Sequence, residues 1–261
     1  MGVDDLEPIC LGGLPILPLT RSQWADYILE TGKAISAANR LPAYFIDVNG
    51  NVLARAAREP RFRDIVLAAS GLNADGQPLV FMSRFLRRRL PERVVGTDLI
   101  HDIARRAQGT GARIYLLGST EDVNRAAAET LRQLYPGLEI CGRHNGYFTR
   151  QEEPMIVREI VSAKPDLVFV ALGVPAEQEF VARNLEALRG VGALKTTGAT
   201  FDYLTGHIAR APMWMQRAGL EWLFRLVTEP RRLIWRYAVT NPIALAVLLF
   251  RSRSHWRPSS P

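Results

Sequence analysis

The sequence predicts an α/β fold: a Rossmann-like parallel sheet with helices on both faces, followed by a basic helical appendage. Three observations carry that prediction. Short runs rich in Val, Ile and Leu alternate with longer stretches of helical period as far as about residue 200, the pattern of βαβ units around a buried sheet. With 261 residues, 48% hydrophobic and 23% charged, the chain can bury one large core, which excludes a disordered, collagen-like or disulfide-framework protein. The net charge of +7 is placed unevenly: residues 1–209 balance acids against Lys and Arg, whereas residues 210–261 hold nine Arg against Glu221 and Glu229. A basic arm on a neutral domain has this pattern. The expected division is residues 1–205 as the α/β domain and 206–261 as the appendage.

The elements follow in order. Ala43–Val48 is the first clear strand, apolar on both faces apart from Asp47. The turn Asn73-Ala74-Asp75-Gly76-Gln77-Pro78 sets a carboxylate at the threshold of an apolar helix, Pro78–Leu86. Capping or turn-making alone would explain that Asp. A second charged turn, Pro91 to Leu99, sets Arg93 and Asp98 around Gly96 before another helix. Strand Ala112–Leu117 is followed by helix Glu121–Leu134, which opens after Thr120 and closes before Pro136. Leu138–Cys141 is the next strand, and Gln151–Ala163 the next helix, closing before Pro165. Asp166–Leu172, helix Ala176–Leu188 and strand Val191–Lys195 complete the alternation.

Ligands of open parallel sheets bind beyond the carboxyl ends of the strands. That rule selects three glycine-bearing loops: Gly118 to Glu121, Gly173 to Gln178, and Thr196 to Thr200. Glycine permits close backbone approach, and a following helix N-terminus favours an anion, although turns also use Gly for conformational reasons alone. No GxGxxG follows the first strand and no GxxxxGK[ST] occurs, which argues against a dinucleotide dehydrogenase, a nucleotide-sugar epimerase or a P-loop NTPase. Cys10 and Cys141 lie far apart, and the four His are scattered, so neither a metal site nor a cofactor is expected. The N-terminus is acidic from Asp4 to Glu7, unlike a secretory signal, and the chain is expected in the cytosol.

Taken in order, these turns resemble a known family. Asn49 with its following helix, Ala74-Asp75-Gly76, Glu92-Arg93-Val94-Val95-Gly96-Thr97-Asp98-Leu99, Gly146-Tyr147-Phe148, the run from Pro165 to Pro175, and Phe201 to Gly206 are similar to motifs of the WecG/TagA/CpsF glycosyltransferases. So are Arg210-Ala211-Pro212-Met213-Trp214-Met215, the segment Gly219 to Leu226, and Glu229-Pro230-Arg231-Arg232. The resemblance runs from about residue 10 to residue 240, and motifs in fixed order over that length make it specific.

The resemblance implies inverting transfer of a sugar from a nucleotide diphosphate sugar, of UDP-ManNAc, UDP-uronate or related type, to a polyprenyl-diphosphate-linked saccharide. The setting it implies is bacterial surface or exopolysaccharide synthesis, peripheral on the inner face of the cytoplasmic membrane. By the same resemblance Asp75 is the catalytic base and Arg93 binds substrate. An acceptor hydroxyl attacking an anomeric carbon must lose a proton, which a carboxylate takes. The departing diphosphate gains charge; without an Asp-x-Asp metal motif, Arg225, Arg231, Arg232 and Arg236 are expected to neutralise it. Asp47, Asn49, Asn73, Gly118, Glu177 and Gln178 complete the expected substrate contacts. Two positions depart from the family. Asp47-Val48-Asn49 stands where Thr-x-Asn is usual, and Ala176-Glu177-Gln178 exchanges the usual Gln and Glu.

Beyond Arg225 basic and apolar residues alternate up to the run Ile243–Phe250, which is shorter than the roughly 20 residues a membrane span needs. Trp235, Tyr237, Leu245, Leu248, Leu249 and Phe250, with Arg231, Arg232, Arg236, Arg251 and Arg253, fit an interfacial helix on anionic lipid. The alternative is a nucleic-acid-binding α/β protein with an arginine-rich tail. Against that alternative, the tail carries no nucleic-acid motif and its aliphatic run has no role there, so nucleic acid is not an expected partner. Monomer and homo-oligomer both remain open.

Overall fold

The computed structural model describes residues 7–256, apart from the side chain of Arg232; the acidic stretch from Asp4 to Leu6 lies outside the described residues. The elements run in the order β1 (Ile9–Leu11), β2 (Leu14–Ile16), α1 (Arg21–Ala37), β3 (Ala43–Val48), α2 (Gly50–Arg58), α3 (Pro60–Leu67), β4 (Gly71–Ala74), α4 (Gln77–Ser83) and α5 (Gly96–Ala107). Then come β5 (Arg113–Gly118), α6 (Glu121–Leu134), β6 (Glu139–His144), α7 (Glu153–Ser162), β7 (Leu167–Ala171), α8 (Ala176–Asn184), β8 (Ala193–Thr196) and α9 (Thr200–Leu204). The last three helices are α10 (Met213–Ala218), α11 (Glu221–Thr228) and α12 (Pro230–Phe250). The fold is therefore α/β with a mostly parallel, Rossmann-like set of strands. The chain forms two compact units. The first holds residues up to Thr20, Asp47–Val95 and everything from Ala209; the second holds Arg21–Ile46 and Gly96–Ile208.

In the second unit the strands lie in the order β3-β8-β7-β5-β6, all parallel. Phe45, Ile46, Leu116, Leu117, Val168, Phe169, Val170 and Leu194 are fully or almost fully buried, as a parallel sheet covered by helices requires. Helix α1 inserts Trp24, Ala25 and Ile28 into this core, with Trp24 edge-on to Phe45 at 6.0 Å between ring centroids. Gly32 allows the close approach: a Cβ there would fall 2.3 Å from the Asp166 carbonyl oxygen. Strand β7 begins at Leu167, one residue later than the apolar run indicates, and the Asp166 side chain braces its entry. Its Oδ1 accepts from Ser36 Oγ at 2.5 Å and its Oδ2 from the Arg113 N–H at 2.9 Å.

In the first unit β1 and β2 form a hairpin across Gly12-Gly13, both at positive φ (60° and 84°). This is the geometry that a two-residue turn of the primed type demands. Strand β2 runs parallel to β4, Ile16 opposite Leu72, and the end of β4 meets the end of β3 where the Asp75 N–H donates to the Val48 carbonyl at 2.9 Å. Helix α12 lies along α2 with Leu233, Ala244, Val247 and Leu248 buried. Gly12 and Gly50 leave the room: a Cβ on Gly12 would be 2.7 Å from Leu53 and 3.4 Å from Val247, and one on Gly50 would be 3.7 Å from Ala244. After α12 the chain turns back along β1. The Cys10 N–H donates to Arg253 O at 3.1 Å and the Arg253 N–H to Cys10 O at 2.8 Å.

The apolar run Ile243–Phe250 is longer than expected. It is the last part of a 21-residue helix that continues through Pro242, and Leu233–Phe250 is long and apolar enough to cross a membrane by length and composition.

Asp166→Ala removes two hydrogen bonds, one of them from a backbone N–H to a carboxylate, and is expected to cost about 2 kcal/mol. A lowered urea midpoint would show it, and an unchanged midpoint would mean that the β7 entry does not depend on this side chain.

Candidate functional site

The candidate base sits where β4 runs out. Three bonds fix that point: the Asp75 N–H donates to Val48 O (2.9 Å), the Val94 N–H to Ala74 O (2.8 Å), and Asn73 Nδ2 to Val94 O (2.9 Å). Asp75 is half-buried. The following Gly76 brings the turn against the next candidate, since a Cβ there would lie 3.8 Å from Asn49 Cα and 2.9 Å from Leu79. Asn49 caps α2, its Oδ1 accepting from the N–H groups of Asn51 (3.0 Å) and Val52 (3.2 Å). Such caps satisfy N–H groups that the helix cannot. Asp47 is 9% exposed near the end of β3. Asn73 is fully buried and its amide holds Val94 against β4, so the structure gives it a scaffold contact.

Arg93 adjoins Val94 and is held in the same register. Its guanidinium is mostly buried and pairs with Glu221, in the first turn of α11, where a carboxylate also favours the helix N-terminus. The tail thus reaches the β4 turn at two points. The second is Gly219, left-handed at the C-cap of α10 (φ 75°), where a Cβ would lie 3.1 Å from Gln77 Cγ at the start of α4. Glu221 was not among the expected site residues. Its signal in the sequence was slight: one of the two acids in the basic appendage.

Of the tail arginines, Arg225 pairs with Glu229 at 3.3 Å. Arg236 is half-buried, lies over the Tyr237 ring at 5.0 Å and donates to its hydroxyl at 3.3 Å. Arg231 is exposed. The side chain of Arg232 lies outside the described residues. Trp222 meets Tyr237 edge-on at 6.1 Å, tying α11 to α12.

The second unit carries the remaining candidates. Its parallel strands β5, β7 and β8 are neighbours, so the three glycine-bearing loops leave one edge. Gly118 has φ 132°, and a Cβ would strike Ala171 O at 2.3 Å; no other residue fits. Asn124, fully buried and not anticipated, donates its Nδ2 to Gly118 O (2.9 Å) and His144 O (3.0 Å). Glu177 is 3% exposed. Its Oε2 accepts from the N–H groups of Gly173 and Gly198, each at 3.1 Å, and its Oε1 from Gln178 Nε2 at 3.1 Å. It therefore laces the β7 and β8 loops together. Burial, and then the Glu177 charge, push the Tyr44 hydroxyl well above its ordinary pKa. Gln178 is fully buried, and its Oε1 has no hydrogen-bond partner among the described residues. Among the described residues no group of three or more His, Cys, Asp or Glu could hold a metal ion.

The chain matches a known protein family over most of its length. The model of the glycosyl transferase WecG/TagA/CpsF family matches residues 9–258. The chain is similar to an N-acetylglucosaminyldiphosphoundecaprenol N-acetyl-beta-D-mannosaminyltransferase of Bacillus subtilis (strain 168), 32% identical over 210 residues, 80% of either chain. It is 30% identical over 216 residues to a protein of the same description from Bacillus spizizenii, covering 83% of this chain and 82% of that one.

If Glu177 is a brace, Glu177→Ala strands two backbone N–H groups and costs about 2 kcal/mol of stability, whereas Glu177→Gln keeps an acceptor oxygen and costs less than half as much. Thermal melts separate the two. Equal melts for both variants, with a raised donor KM, would assign Glu177 to substrate instead.

Proposed function

The chain belongs to the glycosyl transferase WecG/TagA/CpsF family, and from that premise we propose that it moves a sugar, with inversion, from a nucleotide diphosphate sugar to a saccharide carried on polyprenyl diphosphate. That it is a glycosyltransferase of the hexosyl class follows from the family and the relatives. The relatives' printed activity supports N-acetylmannosamine as the transferred sugar and an N-acetylglucosaminyl diphosphoundecaprenol acceptor here too. The polymer it would serve is a bacterial surface or exopolysaccharide.

The observation that carries the mechanism is the fixed end of β4. Asp75 takes the proton from the acceptor hydroxyl as that oxygen attacks the anomeric carbon. The bond from that carbon to the donor diphosphate breaks in the same displacement, and the configuration inverts. The backbone that carries this carboxylate is held by hydrogen bonds at Ala74 and Asp75, so little backbone freedom is lost on binding, which favours such a step. The departing nucleoside diphosphate takes up charge, and arginine is the residue best suited to meet phosphate oxygens because it stays protonated and donates as a fork. We assign that role to Arg225, Arg231, Arg232 and Arg236, with Arg93 on the substrate beside the base and no metal required. Asp47 and Asn49 are assigned to substrate on the same side of the first unit, and the backbone of Gly118 to the donor.

Residues 206–261 act in this reading as an appendage that completes the site and meets the membrane. The contacts Arg93–Glu221 and Gly219–Gln77 support the first role. The exposed faces of α10 to α12 support the second: Trp214 is 65%, Trp235 79% and Phe250 83% exposed, and aromatic residues interleaved with arginine suit the headgroup level of an anionic bilayer. The protein is then peripheral on the cytoplasmic side of the membrane.

A panel of nucleotide sugars with a lipid-linked N-acetylglucosamine acceptor, read as nucleoside diphosphate release, tests the reaction; no release with any donor would contradict it. Asp75→Asn is expected to lower turnover roughly 10²–10⁴-fold with donor affinity near normal. Retained turnover would move the role to Asp47. Arg231→Ala and Arg236→Ala are each expected to lower kcat/KM for a soluble acceptor analogue about 10-fold or more. If they weaken only membrane binding, the tail is an anchor and Arg93 must meet the leaving group.

A further inference from the structure

Where the chain returns from α12 along β1, it closes a cleft of about 420 Å³. The antiparallel bridge Cys10–Arg253 fixes its floor, supported by Gly13 N–H to Arg251 O at 3.0 Å and Trp256 N–H to Pro8 O at 3.1 Å. Arg251, the C-cap of α12, and Arg253, at the bridge, both line the cleft. Arg63 of α3 joins them in the lining, together with Phe250, His255 and Trp256. The Cys10 thiol reports the convergence. Burial raises its pKa, while the bond from Gly13 and then the charges of Arg253 and Arg63 pull it back, so both guanidinium groups bear on one point.

Among the described residues the cleft's lining contains no Asp or Glu. Arg63, Arg251 and Arg253 have no side-chain ion pair or hydrogen bond among the described residues. Glu7, at the rim, is shared between Arg88 (3.1 Å) and His255 (3.0 Å). The basic run from Arg84 to Arg89 adjoins the same segment, its Arg87 N–H donating to Ser254 Oγ at 3.1 Å. Three guanidinium groups with no carboxylate on them among the described residues match a phosphate. Large apolar side chains line it too: Phe250, 83% exposed, and Trp256. A free anion would have no use for them, whereas a headgroup followed by acyl chains would.

We propose that this cleft binds the phosphodiester headgroup of an anionic membrane lipid, a site separate from the residues assigned to transfer. It rests on the membrane reading above and gives it an address: the end of α12 and its return strand.

The test uses the whole protein with vesicles of phosphatidylcholine alone or mixed with phosphatidylglycerol, read by co-sedimentation at fixed ionic strength. Wild type is expected to favour the anionic vesicles. R251A/R253A is expected to bind them about 30-fold more weakly, at about fivefold per arginine, with transfer to a soluble acceptor analogue unchanged. Arg63→Ala, on a different element, is expected to lose about fivefold, and R251K/R253K to stay within a few fold of wild type. If the arginine variants bind like wild type, the cleft is not the lipid site, although the membrane reading stands. If wild type binds neither vesicle, the membrane reading falls and this site with it. Inorganic phosphate, added at matched ionic strength, is expected not to displace wild type from vesicles more than chloride does. Displacement by phosphate, with no preference between the vesicles, would make this a free-phosphate site and overturn the proposal.

Discussion

The bonds that clamp the end of β4 are what the rest of the first unit depends on. Ala74 accepts from Val94, Asp75 donates to Val48, and the buried Asn73 amide closes the bracket on the Val94 carbonyl. Because Val94 is fixed, Arg93 is fixed beside it, and because Arg93 is fixed, Glu221 has a buried cation to meet. Through Glu221 the clamp orients α11, and through the Trp222–Tyr237 contact it reaches α12. A mostly buried ion pair is weak proof of stability, since desolvation offsets much of the attraction, but breaking one side of it leaves an uncompensated charge. The pair therefore serves as a register device, and this is how a tail far away in sequence comes to share a unit with residues 47–95.

The charge distribution acquires a spatial meaning from the same contacts. Both acids of the tail are engaged, Glu221 with Arg93 and Glu229 with Arg225. Neither is spread along the basic faces as a diffuse neutraliser. The positive excess thus stays on arginines such as Arg231, Arg251 and Arg253. Those at the start of α12 are assigned to a leaving diphosphate and those at its end to lipid phosphate. One helix would then carry two anion functions about 30 Å apart, at a rise of 1.5 Å per residue, with an apolar face between them.

Much of the second unit was legible because long periodic segments leave strong signals. The bounds of β3 and α6 agree with the sequence pattern to the residue, Thr120 serving as the expected cap. Strands β1, β2 and β4 were not legible. They have three or four residues each, too few for a period. The helix α12 runs through Pro242 at an exposed position, where losing one N–H bond is tolerable. Motif order singled out Asp75, Arg93 and Asn49, which the fold brings to one turn, but motif order carries no information on burial. Asn73, Glu177 and Gln178, expected as substrate contacts, are buried in the fold. The exchange of Glu and Gln at 177 and 178 illustrates the point: the position that laces Gly173 to Gly198 needs an acceptor oxygen, which either side chain supplies. The partner of Arg93 was invisible because 128 residues separate it from Glu221.

The central claim is that this chain meets the charge of the leaving diphosphate with its own arginines while Asp75 takes the proton. The most direct measurement is the initial rate of transfer to a lipid-linked acceptor in excess EDTA against the rate in Mg²⁺ or Mn²⁺. Equal rates are the predicted result. Loss of transfer on chelation, restored by either ion, would contradict the account.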